Sequence, residues 1–429
     1  MATSENVPTT GSSNVNGLLT INRLNYTLPN DLSVCISRTG TSQFFQSKSY
    51  APGQSMICIF NTGASYVNPE RSYLRLDFKN TSAVSVSFGQ GSACNLFNRL
   101  LVSGRDGSVL ERIDNLNGLC RIRQLYERDA EYKQTVMTAA GSRYNGTNEA
   151  ADSAVFIIPG ATVRFCIPMS MISPLFASKQ LLPNSLASGL RLDIQLEKAN
   201  RALQQQAAEA STAPLSYEIV DCAVVCESYQ LSDMILRNLN QMASSSGLEY
   251  LFTTWYSTSG RRNTSSINIE SRKAVSRALL MFYVETEPED LVNDHRKDCF
   301  KSVPPKWLDV QCRVGSLYLP TQASLRASSA LLLSPEIYSQ SLLAFEKFRG
   351  SMGNAGVGLQ QFENGAAIFA SSLERDTLGG SGIPLSNSRT LAVDATFVEP
   401  AQGESFYVSL FLKYTSLCRI YLSNIVLET

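Results

Sequence analysis

The chain's only histidine, His295, lies in the charged run Asp294-His-Arg-Lys-Asp298. A Ser-His-Asp or Cys-His hydrolase would have to be built on it, because such a site needs an imidazole oriented by a carboxylate and facing the nucleophile. No Ser, Cys or Asp stands in a recognisable setting for those roles, so His295 reads as a surface-loop residue. Asp114, Glu127, Asp129 and Glu131 flank a helical stretch and could be imagined as the carboxylate pair of a glycosidase. Nothing fixes their separation, which is what that chemistry depends on, and they read as a solvated helix face. Cys222 and Cys226 share one face of a strand, yet zinc would need two further ligands. The ten cysteines are scattered, mostly in apolar segments, and read as buried free thiols. Trp255 and Trp307 could be sugar-stacking platforms, but core packing is the favoured reading of both. Gly353-Asn-Ala-Gly-Val-Gly358 lacks the Lys-Ser/Thr ending of a phosphate-binding loop. The most basic loop tip is expected at Ser257-Thr-Ser-Gly-Arg-Arg-Asn-Thr-Ser265. Its Arg261 and Arg262 are the candidates for contact with a neighbouring molecule, set against the reading of an ordinary solvated loop. No catalytic residue, cofactor or metal is expected.

Bulk composition points the same way. Lys plus Arg number 37 and Asp plus Glu 37, so a wide phosphate-neutralising surface is not expected, nor sequence-specific nucleic-acid binding. At 429 residues with 17% charged, the chain has material for two cores of roughly 200 residues each. The first residues, Met1-Ala-Thr-Ser-Glu-Asn6, lack a basic and an apolar region, so no signal peptide is expected and synthesis in a reducing cytoplasm is the default. Asn25, Asn80, Asn145 and Asn263 each open an Asn-x-Ser/Thr triplet, read as chance matches.

The elements that must position any site are strands. Leu74, Leu76 and Phe78 alternate with charged residues, as do Leu190, Leu192, Ile194 and Leu196. Val163, Phe165 and Ile167, then Ala278 to Val284, then Val408 to Tyr414 repeat the period of two, which places one side of each strand on a core. Dense turn residues, as in Ser103-Gly-Arg-Asp-Gly107, punctuate them. Three helices are expected: one capped by Ser334 with Pro335 at its first position, one capped by Ser232, and one over Asn115 to Glu127. The pattern predicts a mainly β chain of two tandem antiparallel jelly-roll sandwiches with a few short inserted helices. The expected division is an N-terminal arm and lead-in over 1–42, a first jelly roll over 43–230, a helical linker over 231–247 and a second jelly roll over 248–429. Met1 to Gly17 is polar; a frayed end and an arm that orders against neighbours both remain open.

Several local strings add a resemblance. Tyr50-Ala-Pro-Gly-Gln54, Tyr66 to Phe78 and Asn95 to Ser103 in the first half, with Trp307, Arg313 to Gln322, the Pro335 helix, Gly382 to Thr390 and Phe411-Leu-Lys-Tyr414 in the second, resemble the double jelly-roll major capsid proteins of icosahedral DNA viruses, most closely those of polinton-like viruses. Their order and spacing carry the likeness, since none encodes chemistry. The resemblance implies homotrimers, three protomers forming a pseudohexagonal capsomer of six upright rolls in a virion shell. Implied partners are further copies of the chain, neighbouring capsomers, and penton and minor capsid proteins; an internal membrane is left open. The alternative is a β-sandwich carbohydrate-binding or attachment protein, and an enzyme built on a sandwich comes last.

Overall fold

The computed structural model describes residues 35–89, 91–128, 130–142, 156–178, 180–206, 214–262, 266–271, 279–286, 299–300, 307–319, 325–326, 335–345, 357–363, 365–373, 391–397, 406–421 and 425–428. Among the described residues, sixteen main strands build the four large sheets. The first eight are β1 (Cys35–Phe44), β2 (Ser55–Ile59), β3 (Tyr66–Asn80), β4 (Phe97–Ser103), β5 (Val109–Asp114), β6 (Thr162–Pro168), β7 (Arg191–Leu196) and β8 (Tyr217–Leu231). They form two sheets in the orders β1-β8-β3-β6 and β2-β7-β4-β5. The second eight are β9 (Leu248–Arg262), β10 (Ser266–Ser271), β11 (Leu279–Thr286), β12 (Trp307–Val314), β13 (Leu317–Leu319), β14 (Phe369–Ser372), β15 (Leu391–Phe397) and β16 (Phe406–Ile420). Their sheets run β9-β16-β11-β14 and β10-β15-β12-β13. Each strand of the second set thus takes the place of the strand eight before it. All pairings are antiparallel, and each set is a jelly roll. Short strands extend the pattern: Ile425–Glu428 on β16, Leu325–Arg326 on β12, and Val86–Ser87 with Gln204–Gln205.

The alternation in the sequence is what fills the sandwiches. Leu74, Leu76 and Phe78 of β3 and Leu192 and Ile194 of β7 are fully buried, while Arg75, Asp77 and Asp193 between them are partly exposed. A period of two sends successive side chains to opposite faces, so a slip of one residue would put every leucine in water. Phe78 meets Phe88 edge-on at 5.4 Å, Phe165 at 6.3 Å and the stacked Tyr217 ring at 5.6 Å. The buried apolar residues of both rolls join in one continuous cluster.

Three of the helices among the described residues answer the sequence expectations: α1 (Leu116–Ile122), α2 (Asp233–Ser245) and α3 (Pro335–Ala344). α1 follows β5 and α3 follows β13, so they hold matching places in the two rolls. The helix expected over Asn115 to Glu127 is α-helical only to Ile122 and continues as a π-helical turn over Arg123–Glu127. α3 buries Ile337, Ser341 and Leu342 as its pattern requires, and the single proton of Ser341 Oγ is shared between Ile337 O at 2.8 Å and Ile368 O at 2.9 Å. α2 connects β8 to β9. Ser232 stands at its N-cap in extended conformation but its side chain makes no capping bond. The helix buries only Ala243 and exposes Met234 and Met242.

Two expectations need correction. β1 already begins at Cys35, inside the stretch assigned to the lead-in, because β8 is long enough to pair it back to Leu231. The segment expected as a basic loop tip is strand as far as Arg262, held by the pairing of β9 with β16 over all 15 residues of both. His295, Met1 to Gly17, Gly382 to Thr390, Ser334, Gly353, and Asn25, Asn145 and Asn263 lie outside the described residues.

Candidate assembly surface

The surface that organises this molecule is the seam where the first roll meets the second. Its first half is the β4–β5 hairpin and the chain that leaves it. Gly107 takes a positive φ of 84° in the hairpin turn, a conformation open to glycine at little cost. At that turn Asp106 Oδ2 accepts a hydrogen bond from the Ile425 N–H at 2.9 Å, so the hairpin tip touches the last strand of the chain. At the other end of β5 the Asp114 N–H donates to Ser257 Oγ of β9 at 2.7 Å. β5 and β9 are therefore two sheet edges that face each other through side chains.

Asn115 then turns the chain into α1. Among the described residues it is the one non-glycine with positive φ, 53°, a region Asn tolerates better than most residues. That turn aims its amide across the seam: Nδ2 donates to Ser409 Oγ of β16 at 2.6 Å, and Oδ1 accepts from the Arg201 guanidinium at 3.1 Å. Arg201 Nε lies 3.3 Å from Glu197 Oε2, which also accepts from Asn117 Nδ2 at 2.8 Å. Further along, Tyr126 OH donates to Ala366 O at 2.6 Å, and its ring stacks on Phe345 at 5.3 Å. Asn115→Ala is expected to destabilise the chain by about 2 kcal/mol, from the buried hydrogen bonds lost and the poorer fit of Ala to this backbone. Asn115→Gly should cost less, and urea unfolding of the two variants would show the order.

Charge in the seam is handled in two ways. Burial works against ionised Glu127, but the charges of Arg123, with Nε 2.8 Å from its carboxylate, and of Lys413, at 3.7 Å, outweigh it and hold the carboxyl below its usual range. Among the described residues, Glu111 of β5 has no such counter-ion in hydrogen-bond contact. Its Oε1 accepts from the Leu175 N–H at 2.8 Å and its other oxygen is hydrogen-bonded to Ser173. Burial pushes its carboxyl up from 4.5 to about 7. A groove of about 670 Å³ opens beside these residues, lined by Val109, Arg112, Tyr256, Thr258 and Leu427 among others.

The sequence-predicted residues fall around this seam rather than in it. Arg261 and Arg262 end β9, opposite Tyr407 and Phe406. Of the imagined carboxylates, Asp114 and Glu127 reach the seam, Glu131 is exposed, and Asp129 lies outside the described residues. Trp255 is buried in the second roll with Lys413 Nζ 5.5 Å over its ring, so it is no sugar platform. Asn80 is buried, donating to Val84 O at 2.9 Å and Ile157 O at 2.8 Å, so its triplet serves packing. Cys222 and Cys226 are free and buried. Among the described residues no group of three or more His, Cys, Asp or Glu side chains could hold a metal ion. The sequence reading missed Glu111, Arg201, Ser257 and Ser409. One signal was available for the first: Glu111 shares the parity of Ile113 in β5, so a period of two puts both on one face.

No protein-family model matches the chain, and no curated protein sequence does. Solved structures do. VP54 of PBCV-1, in a crystal structure fitted into a cryo-EM reconstruction of the virophage Sputnik, superposes with a TM-score of 0.62 at 11% identity, covering 94% of this chain and 99% of VP54. The Faustovirus major capsid protein gives 0.58 at 9% identity, covering 94% of each chain. The mavirus major capsid protein gives 0.52 at 11% identity, covering 100% of this chain and 96% of its own. Two rolls of matching strand order, joined by one buried seam, thus align end to end with these proteins, and the chain has the double jelly-roll fold of viral major capsid proteins.

Proposed function

We propose that the chain is the major capsid protein of an icosahedral virus shell, assembling as homotrimers whose six rolls make pseudohexagonal capsomers. The observation that supports this most is the end-to-end likeness across both rolls, 94% of this chain and 99% of VP54. A closed ring of three needs a heterologous interface, one face of a protomer meeting a different face of the next. Interfaces of that obligate kind bury on the order of 2,000–5,000 Å². The work of the protein is then geometric: apolar inner faces hold each roll, and outer flanks set the angles of the ring. Neighbouring capsomers, pentons and minor capsid proteins are its partners in the shell, with Arg261 and Arg262 as candidate contacts. With charges balanced at 37 and 37, contact with the genome falls to other components. The carbohydrate-binding alternative is weakened because Trp255, one of its two stacking candidates, is buried.

Light scattering on the purified chain tests the proposal. The expected mass at micromolar concentration is three times the 47.0 kDa of one chain, with pseudohexagonal particles in electron micrographs. A stable monomer without such particles would sink the capsid reading.

A further inference from the structure

The first roll holds two thiols in contact that the seam does not use. Cys94 stands in the tight turn Ala93–Leu96 leading into β4, and Cys120 stands in α1. The turn is fixed by the Cys94 N–H donating to Ser92 Oγ at 3.3 Å and the Ala93 N–H donating to Ala140 O at 2.8 Å. α1 packs against this turn, and the two sulfurs face each other within hydrogen-bond contact. Both residues are only 1% exposed. Cys120 Sγ also donates to Met171 O at 3.2 Å. Arg123 brings its charge to the same place, Nη1 donating to Met171 O at 3.1 Å and to Ser170 O at 3.2 Å.

The two thiols are not equivalent. Burial penalises a thiolate and so drives a thiol upward. Cys58, Cys222, Cys312 and Cys418 follow that rule, each pushed up to about 12 by burial. Cys94 is sealed as well as they are and goes the other way. The hydrogen bond from Cys120 holds its thiol below the usual value against burial, with help from Ser92 and the charge of Arg123. Cys120, which gives that bond, is driven well above by it and by burial. A thiol able to ionise beside one that keeps its proton supplies a nucleophile and a resolving partner. Their cover is slight. Two single helical turns, Ala130–Gln134 and Val136–Ala139, lead to the Ala140 carbonyl that holds Ala93. Pieces so short open at lower cost than paired strands, and an oxidant little larger than water can enter through them.

We propose that Cys94 and Cys120 are an oxidisable pair that closes to a disulfide when the chain meets a hydroperoxide. The Cys94 thiolate attacks one peroxide oxygen; an S–O bond forms, the O–O bond breaks, and the departing hydroxide takes up the proton Cys94 had released. The sulfur of Cys120 then attacks the sulfenic sulfur; the S–S bond forms, the S–O bond breaks, and the oxygen leaves as water with the proton of Cys120. Two thiols lose two electrons and one hydrogen peroxide becomes two waters. The bond ties α1 to the turn before β4, and with it the Asn115 turn that crosses the seam. The disulfide stands apart from the capsid reading. On that reading it would stiffen the chain once a particle leaves the reducing cytoplasm.

The test treats the full reduced chain with hydrogen peroxide, blocks remaining thiols with iodoacetamide in denaturant, and maps peptides without reductant. The expected product is a single cross-link between Cys94 and Cys120, with the other eight cysteines alkylated. The oxidised chain should show an unfolding equilibrium constant about 100-fold lower in urea, restored by dithiothreitol. Cys120→Ser should stop at a sulfenic acid on Cys94 that dimedone traps. A folded Cys120→Ser chain with no such adduct overturns Cys94 as the attacking thiol. If that variant does not fold, the wild-type map decides alone. Both thiols still open to alkylation, either one linked to a different cysteine, or Cys94 carried on to sulfinic acid with Cys120 free would each overturn the pair. An unchanged urea midpoint after cross-linking would overturn the stiffening.

Discussion

Phe78→Ala should destabilise the chain by about 3–5 kcal/mol, the range for removing a large aromatic side chain from a closed core. Phe78 is fully buried and is the ring on which Phe88, Phe165 and Tyr217 converge from three other segments. Two of those partners, Phe165 and Tyr217, lie on the strands flanking β3 in its sheet, so the cavity cannot be filled by moving one loop. Phe78→Leu keeps much of the volume and should cost distinctly less. Because the apolar cluster is continuous across both rolls, loss of this ring is expected to weaken a single unfolding transition. Urea unfolding at equilibrium reads the effect, and a change below about 1 kcal/mol would mean that the site collapses onto itself far better than its packing suggests.

The second large effect concerns pH. Glu111 titrates at about 7 in the folded chain against 4.5 ordinarily, because burial penalises its charge. The folded state therefore holds a proton that the unfolded state releases. Below pH 4.5 the carboxyl is neutral in both states and its contribution to stability is complete. As pH rises from 4.5 through about 7 that contribution is lost, to a total of roughly 3 kcal/mol. Glu111→Gln keeps the shape and can still accept from the Leu175 N–H while carrying no charge at any pH. Its stability should match wild type near pH 4.5 and exceed it by up to about 3 kcal/mol at pH 8. Urea midpoints at the two pH values check this; parallel behaviour of the two proteins would show that Glu111 stays ionised.

Much of the fold was legible because it is written locally. The alternation at Leu74 to Phe78, at Leu192 to Leu196 and at Val408 to Tyr414 needs only neighbouring residues to be read, and each became a strand with those residues buried. α3 was legible for the same reason. The seam was not. Asp114 meets Ser257 and Asn115 meets Ser409, partners separated by 143 and 294 positions, and Ser or Asn in a strand-rich chain gives no hint of which edge it will face. Arg261 and Arg262 were misplaced in a loop because Ser257-Thr-Ser-Gly has turn composition, whereas the pairing with β16 overrides local preference there. Glu111 could not be valued from sequence, since its shift comes from burial by the turn that carries Ser173 and Leu175.

One consequence of α2 joining the rolls concerns assembly kinetics. The 13-residue helix is the tether between β8 and β9, and a short tether holds its two ends at millimolar effective concentration or above. Every β5–β9 contact in the proposed ring is consequently made once, during folding, and never has to be found by diffusion. Ring formation then varies with the third power of chain concentration, where unlinked rolls would face the sixth. Capsomers would keep forming at dilutions that leave separated rolls unassembled, and a cut within α2 should reveal the difference as a steeper concentration threshold.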